Sequence, residues 1–357
     1  MFLFERSIAP EKSLAGIAEA SDFERLGKII AASSETSLAV VGSKSSGMVK
    51  FSAPVTIIVE NSISGDGKLR VRIGTRPSPL AMRQAEIIAS GIRECEVTIV
   101  PITTTGDRNM STFAADGVKG MFTREIEASL FSGEIDIAVH SLKDLPIDMN
   151  PELPIVAYSK RGNPFDALIT GDNDGNVIGT SSLRRRLQAE RLYPSCEVLP
   201  VRGNVGTRLR KLDAGEYSGL ILSVCGLERL GLSSRITRIF TADEIMPASC
   251  QGIIACQGRA GEYYDYLSGV NDEISRDCAI SERSFSRCLG TGCNIPAGAY
   301  AEISGDTLTL KGLYIDGGKF YRGEISGKRN DAEKIGEKLA HDIYSRSRAG
   351  GYRAVDA

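Results

Sequence analysis

The stretch GTSSLRRRLQAERLYPSCEVLPVRGNVGTR, residues 179–208, predicts a helix after Ser182, a short strand at 198–199 and a second helix after Asn204. Glycine and small polar residues precede each helix, as is usual where a loop leads into a helix. Alternating short strands and helices are typical of an α/β fold built on a mainly parallel sheet. The stretch therefore indicates the α/β class.

The same stretch concentrates positive charge. Between residues 184 and 211 the chain has eight basic residues against two acidic ones, although its overall net charge is −2. Backbone N–H groups at helix N-termini favour anions, and guanidinium groups bind carboxylates through paired hydrogen bonds. Local charge beside two helix starts therefore predicts a site for an anion with several carboxylates. The basic residues are Arg184, Arg185, Arg186, Arg191, Arg202, Arg208, Arg210 and Lys211.

The alternation of strands and helices extends in both directions from this stretch. Ser78 and Pro79 predict a helix N-cap followed by proline at the first helical position. The last ninety or so residues change to two helices around three alternating apolar runs, which predicts a small α+β domain with an antiparallel sheet. Strands are predicted at 70–74, 96–102, 135–139, 167–169, 220–222, 299–303, 307–314 and 319–325, and further helices at 123–131, 273–287 and 331–346.

Residues 1–65 form a segment apart. Their pattern predicts a helix at 11–32 and two strands at 38–41 and 55–59. No motif that carries chemistry occurs there, so we interpret the segment as a packing or oligomerisation element.

The composition is that of a globular protein with two or three domains. The chain has 357 residues, of which 42% are hydrophobic and 25% charged, and a net charge of −2 argues against binding nucleic acid. No apolar run reaches the roughly 18 residues that cross a bilayer, and the apolar start at 1–4 is too short for a signal peptide. We therefore expect a cytoplasmic protein.

Cysteine and histidine usage narrows the chemistry. The eight cysteines have irregular spacing without a C-x-x-C motif, which argues against a disulfide framework and against zinc. The two histidines, His140 and His341, leave little basis for Ser-His-Asp catalysis or a histidine-rich metal site. We expect no metal, and acid–base chemistry then falls to carboxylates.

Two predicted strands end in polar residues. Lys143 and Asp144 follow the strand at 135–139, and Arg76 and Ser78 follow the strand at 70–74. Ligands of α/β sheets bind beyond the carboxyl ends of strands, so these side chains lie where a site is expected. The alternative is an exposed ion pair at one strand end and a solvated arginine at the other.

Two glycine-rich segments carry further candidates. Lys119 and Phe122 lie in a glycine-flanked loop that could fold over a site, although most such loops are simple connections. Cys293 lies in a turn between Gly292 and Pro296, which is a poor location for a core residue. It is therefore the cysteine that we expect to be accessible and reactive.

Five motifs in this order resemble the hydroxymethylbilane synthase family, whose members are also called porphobilinogen deaminases. The resemblance begins near Leu69 and continues to the C-terminus, and the order of the motifs makes it specific. The motifs are RPSPL at 76–80, HSLKDLP at 140–146, GTSSLRR at 179–185, LPVRGNVGTR at 199–208 and GCNIP at 292–296.

The resemblance implies an enzyme of tetrapyrrole (porphyrin, haem) biosynthesis. Such a transferase condenses four porphobilinogen molecules, with loss of ammonia, onto a dipyrromethane cofactor, and then releases linear hydroxymethylbilane by hydrolysis. The cofactor is held by a thioether to a cysteine that matches Cys293. The implied fold has two lobes like those of type II periplasmic binding proteins and a small third domain. Its expected boundaries are 66–160 with about 253–268 for domain 1, 161–252 for domain 2 and 269–357 for domain 3, after the extension at 1–65.

The family motifs also imply roles for single residues. Asp144 matches the catalytic aspartate, which would be a buried carboxylate close to pyrrole N–H groups, and Lys143 matches a neighbouring cation. Gln251 lies where the chain crosses back to the first domain and has an expected structural or hinge role. The residues that match substrate or cofactor contacts are Arg76, Ser78, Lys119, Phe122, Thr180, Ser181, Ser182, Arg184, Arg185, Arg202, Gly203, Asn204, Arg208 and Arg229.

The chain departs from the family pattern in three places. Residues 1–65 precede the usual start, one glycine is absent before Lys119, and Thr291 interrupts the glycine pair before Cys293. A carboxylate-binding or sensing module with a similar cleft remains the alternative, and it would need neither Cys293 nor Asp144. We expect a monomer whose small-molecule partner is porphobilinogen, with the N-terminal extension as the element that could mediate association.

Overall fold

The structure is a computed structural model that describes residues 2–5, 29–32, 37–41, 46–50, 56–59, 68–108, 123–290 and 296–349. The chain divides into two compact units, residues 1–71 with 94–96 and residues 72–93 with 97–357. Across the described ranges, no helix is long and apolar enough to span a membrane.

Before residue 60, the part of the chain that the structure describes consists of five short strands. They are β1 (Phe2–Glu5), β2 (Ile29–Ala32), β3 (Ser37–Val41), β4 (Ser46–Lys50) and β5 (Thr56–Val59). Strand β1 pairs with β5, and β2, β3 and β4 form an antiparallel sheet. The predicted strands at 38–41 and 55–59 are confirmed.

The helix predicted at 11–32 is wrong over its last four residues. Ile29 pairs with Val40 and Ala32 with Ser37, so this apolar run joins a sheet. Pairing with the next β-rich run satisfies its backbone groups across the two strands, and this pairing outweighs the local helical pattern. Residues 11–28 lie outside the described residues.

From residue 69 onward the chain forms two five-stranded sheets. Their strands are β6 (Leu69–Thr75), β7 (Cys95–Pro101), β8 (Ile137–Ser141), β9 (Ile155–Tyr158), β10 (Asp166–Thr170), β11 (Val177–Gly179), β12 (Glu197–Leu199), β13 (Gly219–Ser223), β14 (Arg238–Ile239) and β15 (Ile254–Gln257). The helices between them are α1 (Pro79–Gly91), α2 (Thr105–Arg108), α3 (Arg124–Phe131), α4 (Leu183–Leu192), α5 (Val205–Asp213) and α6 (Val224–Arg229).

The strand order is β7-β6-β8-β15-β9 in the first sheet and β12-β11-β13-β10-β14 in the second. The two orders are equivalent: in each sheet the strand that follows a crossing between the sheets, β15 or β10, is fourth, and the other four strands follow the order second, first, third, fourth. We call the first sheet with α1–α3 the first lobe, and the second sheet with α4–α6 the second lobe. The two-lobed α/β architecture predicted from the resemblance is confirmed.

The sheets are mixed, whereas the sequence pattern predicted mainly parallel ones. Strands β6 and β8 are parallel, as are β11 and its two neighbours, but β15 and β10 run antiparallel to β8 and β13. Strand β10 is the first after the chain leaves the first sheet, and β15 is the first after it returns. Each strand therefore enters its sheet from the opposite lobe, and this reverses its direction.

The end of the chain forms the predicted α+β domain. Strands β16 (Ala297–Ser304), β17 (Thr307–Asp316) and β18 (Lys319–Lys328) make an antiparallel sheet, covered by α7 (Glu273–Cys288) and α8 (Ala332–Ala349). Phe285, Leu310 and Leu339 lie in its buried core. Gly336 lets α8 approach α7, since a Cβ there would lie 2.3 Å from the Ser281 carbonyl oxygen.

Two segments cross between the lobes and touch each other. The Gly162 N–H donates to the Gly252 carbonyl at 3.1 Å, and the Ser159 N–H donates to the Ile254 carbonyl at 2.9 Å. Arg161, between them, is paired with the fully buried Glu282 of α7 at 2.6 Å. Helix α7 therefore stabilises the crossing point, residues 159–162 and 252–254, and the candidate site lies next to it.

Candidate active site

Two loops at the carboxyl ends of β11 and β12 form one edge of the second lobe. The strands are parallel neighbours, so both loops leave the sheet on the same side. The Thr180 N–H donates to the Leu199 carbonyl at 2.9 Å, and the Ser181 hydroxyl donates to the Val201 carbonyl. The two loops recognised in the sequence are thus held together as one surface.

Each loop ends in a side-chain helix cap. The Ser182 hydroxyl accepts from the Arg185 N–H at 3.4 Å to begin α4, and the Asn204 side chain accepts from the Thr207 N–H at 2.9 Å to begin α5. Gly203 has φ of +112° and a Cβ there would lie 2.7 Å from Thr207, so this turn requires glycine. Both helix N-termini therefore lie at the edge that carries the arginines.

The two arginines of α4 are buried around one carboxylate. Arg184 and Arg185 are 5% and 7% exposed, and they donate to the two carboxylate oxygens of Asp166 at 2.8 and 2.7 Å. Burial alone would raise the pKa of Asp166, but the two guanidinium groups and a hydrogen bond from Gln251 hold it far below its usual range. Asp166 is therefore a buried, ionised counter-charge.

Asp166 was not predicted from the sequence. In the sequence, Asp166 is a single acidic residue at the start of an apolar strand, and this pattern does not show which cations will lie next to it. Arg184 also donates to the Met246 carbonyl, so protein groups occupy its guanidinium. The expected substrate contact of Arg184 stays a prediction, and the side chain is buried in this structure.

Arg202 and Arg208 differ in their surroundings. Arg202 is exposed, and no described residue accepts a hydrogen bond from its side chain. Arg208 is half-buried and its Nε donates to the Gly203 carbonyl at 2.8 Å. Burial lowers the pKa of Arg208, and the nearby Arg185 lowers it further. Like charges therefore face one another at this edge.

Lys143 and Asp144 lie in a single 3₁₀ turn, Leu142–Asp144, directly after β8. Leu142 and Leu145 are buried, and the turn leaves Asp144 exposed and Lys143 half-buried. Asp144 is thus not the buried carboxylate that we expected, because this turn carries it out from the sheet edge. Burial lowers the pKa of Lys143, although the charge of Asp144 opposes the shift.

The first lobe adds Arg76 and Ser78. The Arg76 Nε donates to the Asp107 carboxylate at 3.1 Å, and Ser78 caps α1 by accepting from the Ala81 N–H at 3.3 Å. Burial would raise the pKa of Asp107, but hydrogen bonds from Arg76 and Thr104 lower it overall. The N-cap at Ser78 is confirmed, and the Asp107 pair was not predicted.

Arg229 lies at the end of α6 and donates to the Gly252 carbonyl at 2.5 Å. Burial lowers its pKa. An open cavity of about 520 Å³ lies between the first turns of α1 and the end of α6. It is lined by Pro79, Arg83, Glu86, Glu228, Arg229, Leu230 and Gly231.

Three predicted site residues, Lys119, Phe122 and Cys293, lie outside the described residues. Among the cysteines of the described ranges, Cys288 is exposed and the others are buried or half-buried. Burial raises the pKa of the Cys288 thiol. Cys288 is therefore a natural control for experiments on Cys293.

Known proteins match the chain over both lobes and the last domain. The family model "Porphobilinogen deaminase, dipyromethane cofactor binding domain" matches residues 71–264, and "Porphobilinogen deaminase, C-terminal domain" matches residues 277–345. Porphobilinogen deaminase of Ruminiclostridium josui is 46% identical over 285 residues, which are 77% of this chain and 98% of that protein. The Acetivibrio thermocellus protein of the same name is 45% identical over 286 residues, with the same coverage.

More distant likenesses occur among solved structures. The periplasmic sulfonate-binding protein SsuA of Methylobacillus flagellatus is 15% identical, with a TM-score of 0.33 over 62% of this chain and 67% of that chain. The family assignment rests on the sequence matches. On these, the chain belongs to the porphobilinogen deaminase family.

Proposed function

We propose that the arginine-rich edge and the turn at Lys143 and Asp144 form the active site of a hydroxymethylbilane synthase. The protein is a transferase of tetrapyrrole biosynthesis. It condenses four porphobilinogen molecules, each with loss of ammonia, onto a cysteine-linked dipyrromethane, and releases linear hydroxymethylbilane by hydrolysis. The alternative of a carboxylate-sensing module is not favoured, because the relatives that match most of the chain are named for the enzyme.

The observation that carries the proposal is an imbalance of charge. Arg185 lies close enough to Lys143 and to Arg208 to lower the pKa of each, and Asp166 is the buried acid that faces Arg185. Asp166 is already shared between Arg184 and Arg185. Clustered cations depress one another's pKa, and anionic ligands relieve this cost. A multi-carboxylate ligand fits such a site.

Dipyrromethane fits these residues. Each pyrrole derived from porphobilinogen carries an acetate and a propionate, and the Arg185 Nε is a buried donor without a hydrogen-bond partner among the described residues. Arg185, Arg202 and Arg208 would hold its carboxylates, with Thr180, Ser181 and Ser182 as neutral donors at the same edge. When bound through Cys293, it supplies the primer to which the incoming ring is joined.

Asp144 is the acid best placed to act on substrate. Of the described carboxylates near the site, Asp166 and Asp107 each accept from arginine, whereas Asp144 is exposed beside Lys143. A free carboxylate can accept a pyrrole N–H of the substrate and stabilise the positive charge that develops as ammonia leaves. Lys143 would bind a substrate carboxylate or assist proton transfer.

The remaining roles extend this proposal. Arg76, Ser78 and Arg229 would bind incoming porphobilinogen, while Arg184 positions Asp166. Gly203 and Asn204 shape the turn, and Lys119 and Phe122 belong to a loop over the cleft. The domain boundaries at residues 66, 161, 253 and 269 stay proposals, as does a cytoplasmic location. We also propose a monomer, with the N-terminal extension as the segment through which any association would occur.

The test is turnover of porphobilinogen by the wild type and by Asp144→Asn. The wild type should release ammonia and form hydroxymethylbilane. Asp144→Asn should lower kcat by about 10²-fold or more, while porphobilinogen still binds, since it removes charge stabilisation without touching the arginines. The matched control Asp148→Asn, four residues further along, should keep kcat within about twofold. Full activity of Asp144→Asn would show that another group carries this role.

A further inference from the structure

Gln251 is a buried residue that connects the two lobes at the site. Its side chain is 0% exposed and contacts groups from three parts of the chain. Its Nε2 donates to the Pro164 carbonyl at 2.7 Å and to Asp166 at 2.8 Å. Its Oε1 accepts from the Lys143 ammonium at 3.2 Å and from Arg185 at 3.3 Å.

These contacts allow one orientation of the amide. Both amide hydrogens face acceptors, and the carbonyl oxygen faces two cations, so all its hydrogen-bonding capacity is used. A flipped amide would place NH₂ against Lys143 and Arg185, and oxygen against the Asp166 carboxylate. The polarity of the Gln251 side chain is therefore fixed by charges on both sides.

The backbone holds this side chain in place. Cys250 and Gly252, on either side of Gln251, have φ of +64° and +95°. The Gln251 carbonyl accepts from the Arg161 Nε at 2.9 Å, and a Cβ on Gly252 would lie 2.5 Å from the Gly162 carbonyl oxygen. A non-glycine residue at positive φ persists where its surroundings over-determine it. This crossing point is thus built to present Gln251.

We propose that Gln251 is a positioning residue, whose carbonyl oxygen holds the Lys143 ammonium beside Asp144 and links it to Arg185 and Asp166 of the second lobe. The inference rests on the proposed function, because it assigns a partner to the cation next to the catalytic acid. A hydrogen bond accepted from the charged form favours that form. Gln251 therefore keeps Lys143 protonated at a half-buried position.

Other groups act on Lys143 as well, and a test must keep them constant. Asp144 lies on its own turn, Arg185 on α4, Cys225 on α6 and Asp166 on β10. Gln251→Met removes the acceptor at nearly equal volume and leaves all four in place. Gln251→Glu retains an oxygen toward Lys143 and can carry a proton toward Asp166, so it is the conservative replacement.

The experiment titrates Lys143 in the holoenzyme by trace acetylation with acetic anhydride across pH, followed by peptide mass spectrometry. Gln251→Met should lower the pKa of Lys143 by about one unit, the scale of a hydrogen bond to a charged group. Gln251→Glu should keep it at or above the wild-type value. Gln257→Met, at another fully buried glutamine that bonds Glu127 and Leu153, should leave it unchanged.

Kinetics give a second readout. Gln251→Met should lower kcat about tenfold at neutral pH with little change in KM, and move the alkaline limb of the kcat profile to lower pH. An unchanged Lys143 titration in Gln251→Met would overturn the inference, even if that variant loses activity through instability. Absence of porphobilinogen turnover in the wild type would instead overturn the proposed function, and the titration would still decide the role of Gln251.

Discussion

Replacing Asp166 by asparagine should destabilise the protein severely. The substitution keeps the shape of the side chain and removes one negative charge. Three donors converge on this carboxylate, from Arg184 at 2.8 Å, Arg185 at 2.7 Å and Gln251 at 2.8 Å. In Asp166→Asn, an NH₂ group would face at least one of these donors, and two buried guanidinium groups would lose their counter-charge.

The size of the effect follows from burial. Asp166 is 0% exposed and its arginine partners are at most 7% exposed, so water cannot replace the lost charge. Removing one partner of a buried ion pair costs about 3–5 kcal/mol. This is a large part of the about 5–15 kcal/mol that separates folded from unfolded proteins.

Urea unfolding followed by circular dichroism measures this loss. The control is Asp213→Asn, which breaks an ion pair with Arg235 whose side chains are 52% and 35% exposed. That exposed pair should contribute less than about 1 kcal/mol. The comparison separates the loss of a buried charge from the chemical change itself.

The pH dependence gives a further check on Asp166. Its pKa in the folded state lies below the unfolded value of about 4, so its stabilisation is fully present above that value and is lost as pH falls further. The difference between wild type and Asp166→Asn should therefore be constant from pH 5 to 8 and shrink below about pH 4. A difference below about 1 kcal/mol at neutral pH would show that Asp166 is not the counter-charge of the two buried arginines.

Two further predictions concern the arginine edge and a buried histidine. Arg202→Leu should raise the KM for porphobilinogen, or slow assembly of the holoenzyme, by about tenfold or more. The control Arg186→Leu, at an exposed arginine paired with Glu190, should change either quantity by less than about twofold. Equal effects of the two substitutions would reject a role for Arg202 in binding. Burial lowers the pKa of His140 to about 4, so this side chain stays neutral when folded but is protonated below about pH 6.5 when unfolded. The free energy of unfolding of the wild type should therefore fall by up to about 3 kcal/mol between pH 6.5 and 4. Urea titrations of His140→Asn should show a pH dependence that lacks this fall. A pH dependence of His140→Asn equal to that of the wild type would contradict a buried neutral His140.

Local signals predicted much of the fold. Ser78, Ser182 and Asn204 cap helices as the sequence indicated, because a cap depends on residues within one turn. The strand at 29–32, strand β15 and the antiparallel direction of β10 were missed. Strands β10 and β15 pair with partners far along the chain, which a local pattern does not contain, whereas the strand at 29–32 pairs with the strand that follows it.

The sequence predicted which residue types form the candidate site, but not how these residues are arranged. The sequence indicated arginines for carboxylates, and the structure brings Arg185, Arg208 and Lys143 close together. It could not distinguish Arg184, which is buried against Asp166 and Met246, from Arg202, which is exposed. That difference arises from the crossing segments, which pack Gln251 and Pro164 around the buried acid.

In the proposed active site, these residues serve a primer attached to Cys293. Intact-protein mass spectrometry of the chain, incubated with porphobilinogen as wild type, Cys288→Ser and Cys293→Ser, tests this attachment most directly. We expect a covalent addition of two linked pyrrole units in the wild type and in Cys288→Ser, mapped to Cys293, and no addition in Cys293→Ser. An unmodified wild type, or an addition that persists in Cys293→Ser, would contradict this attachment.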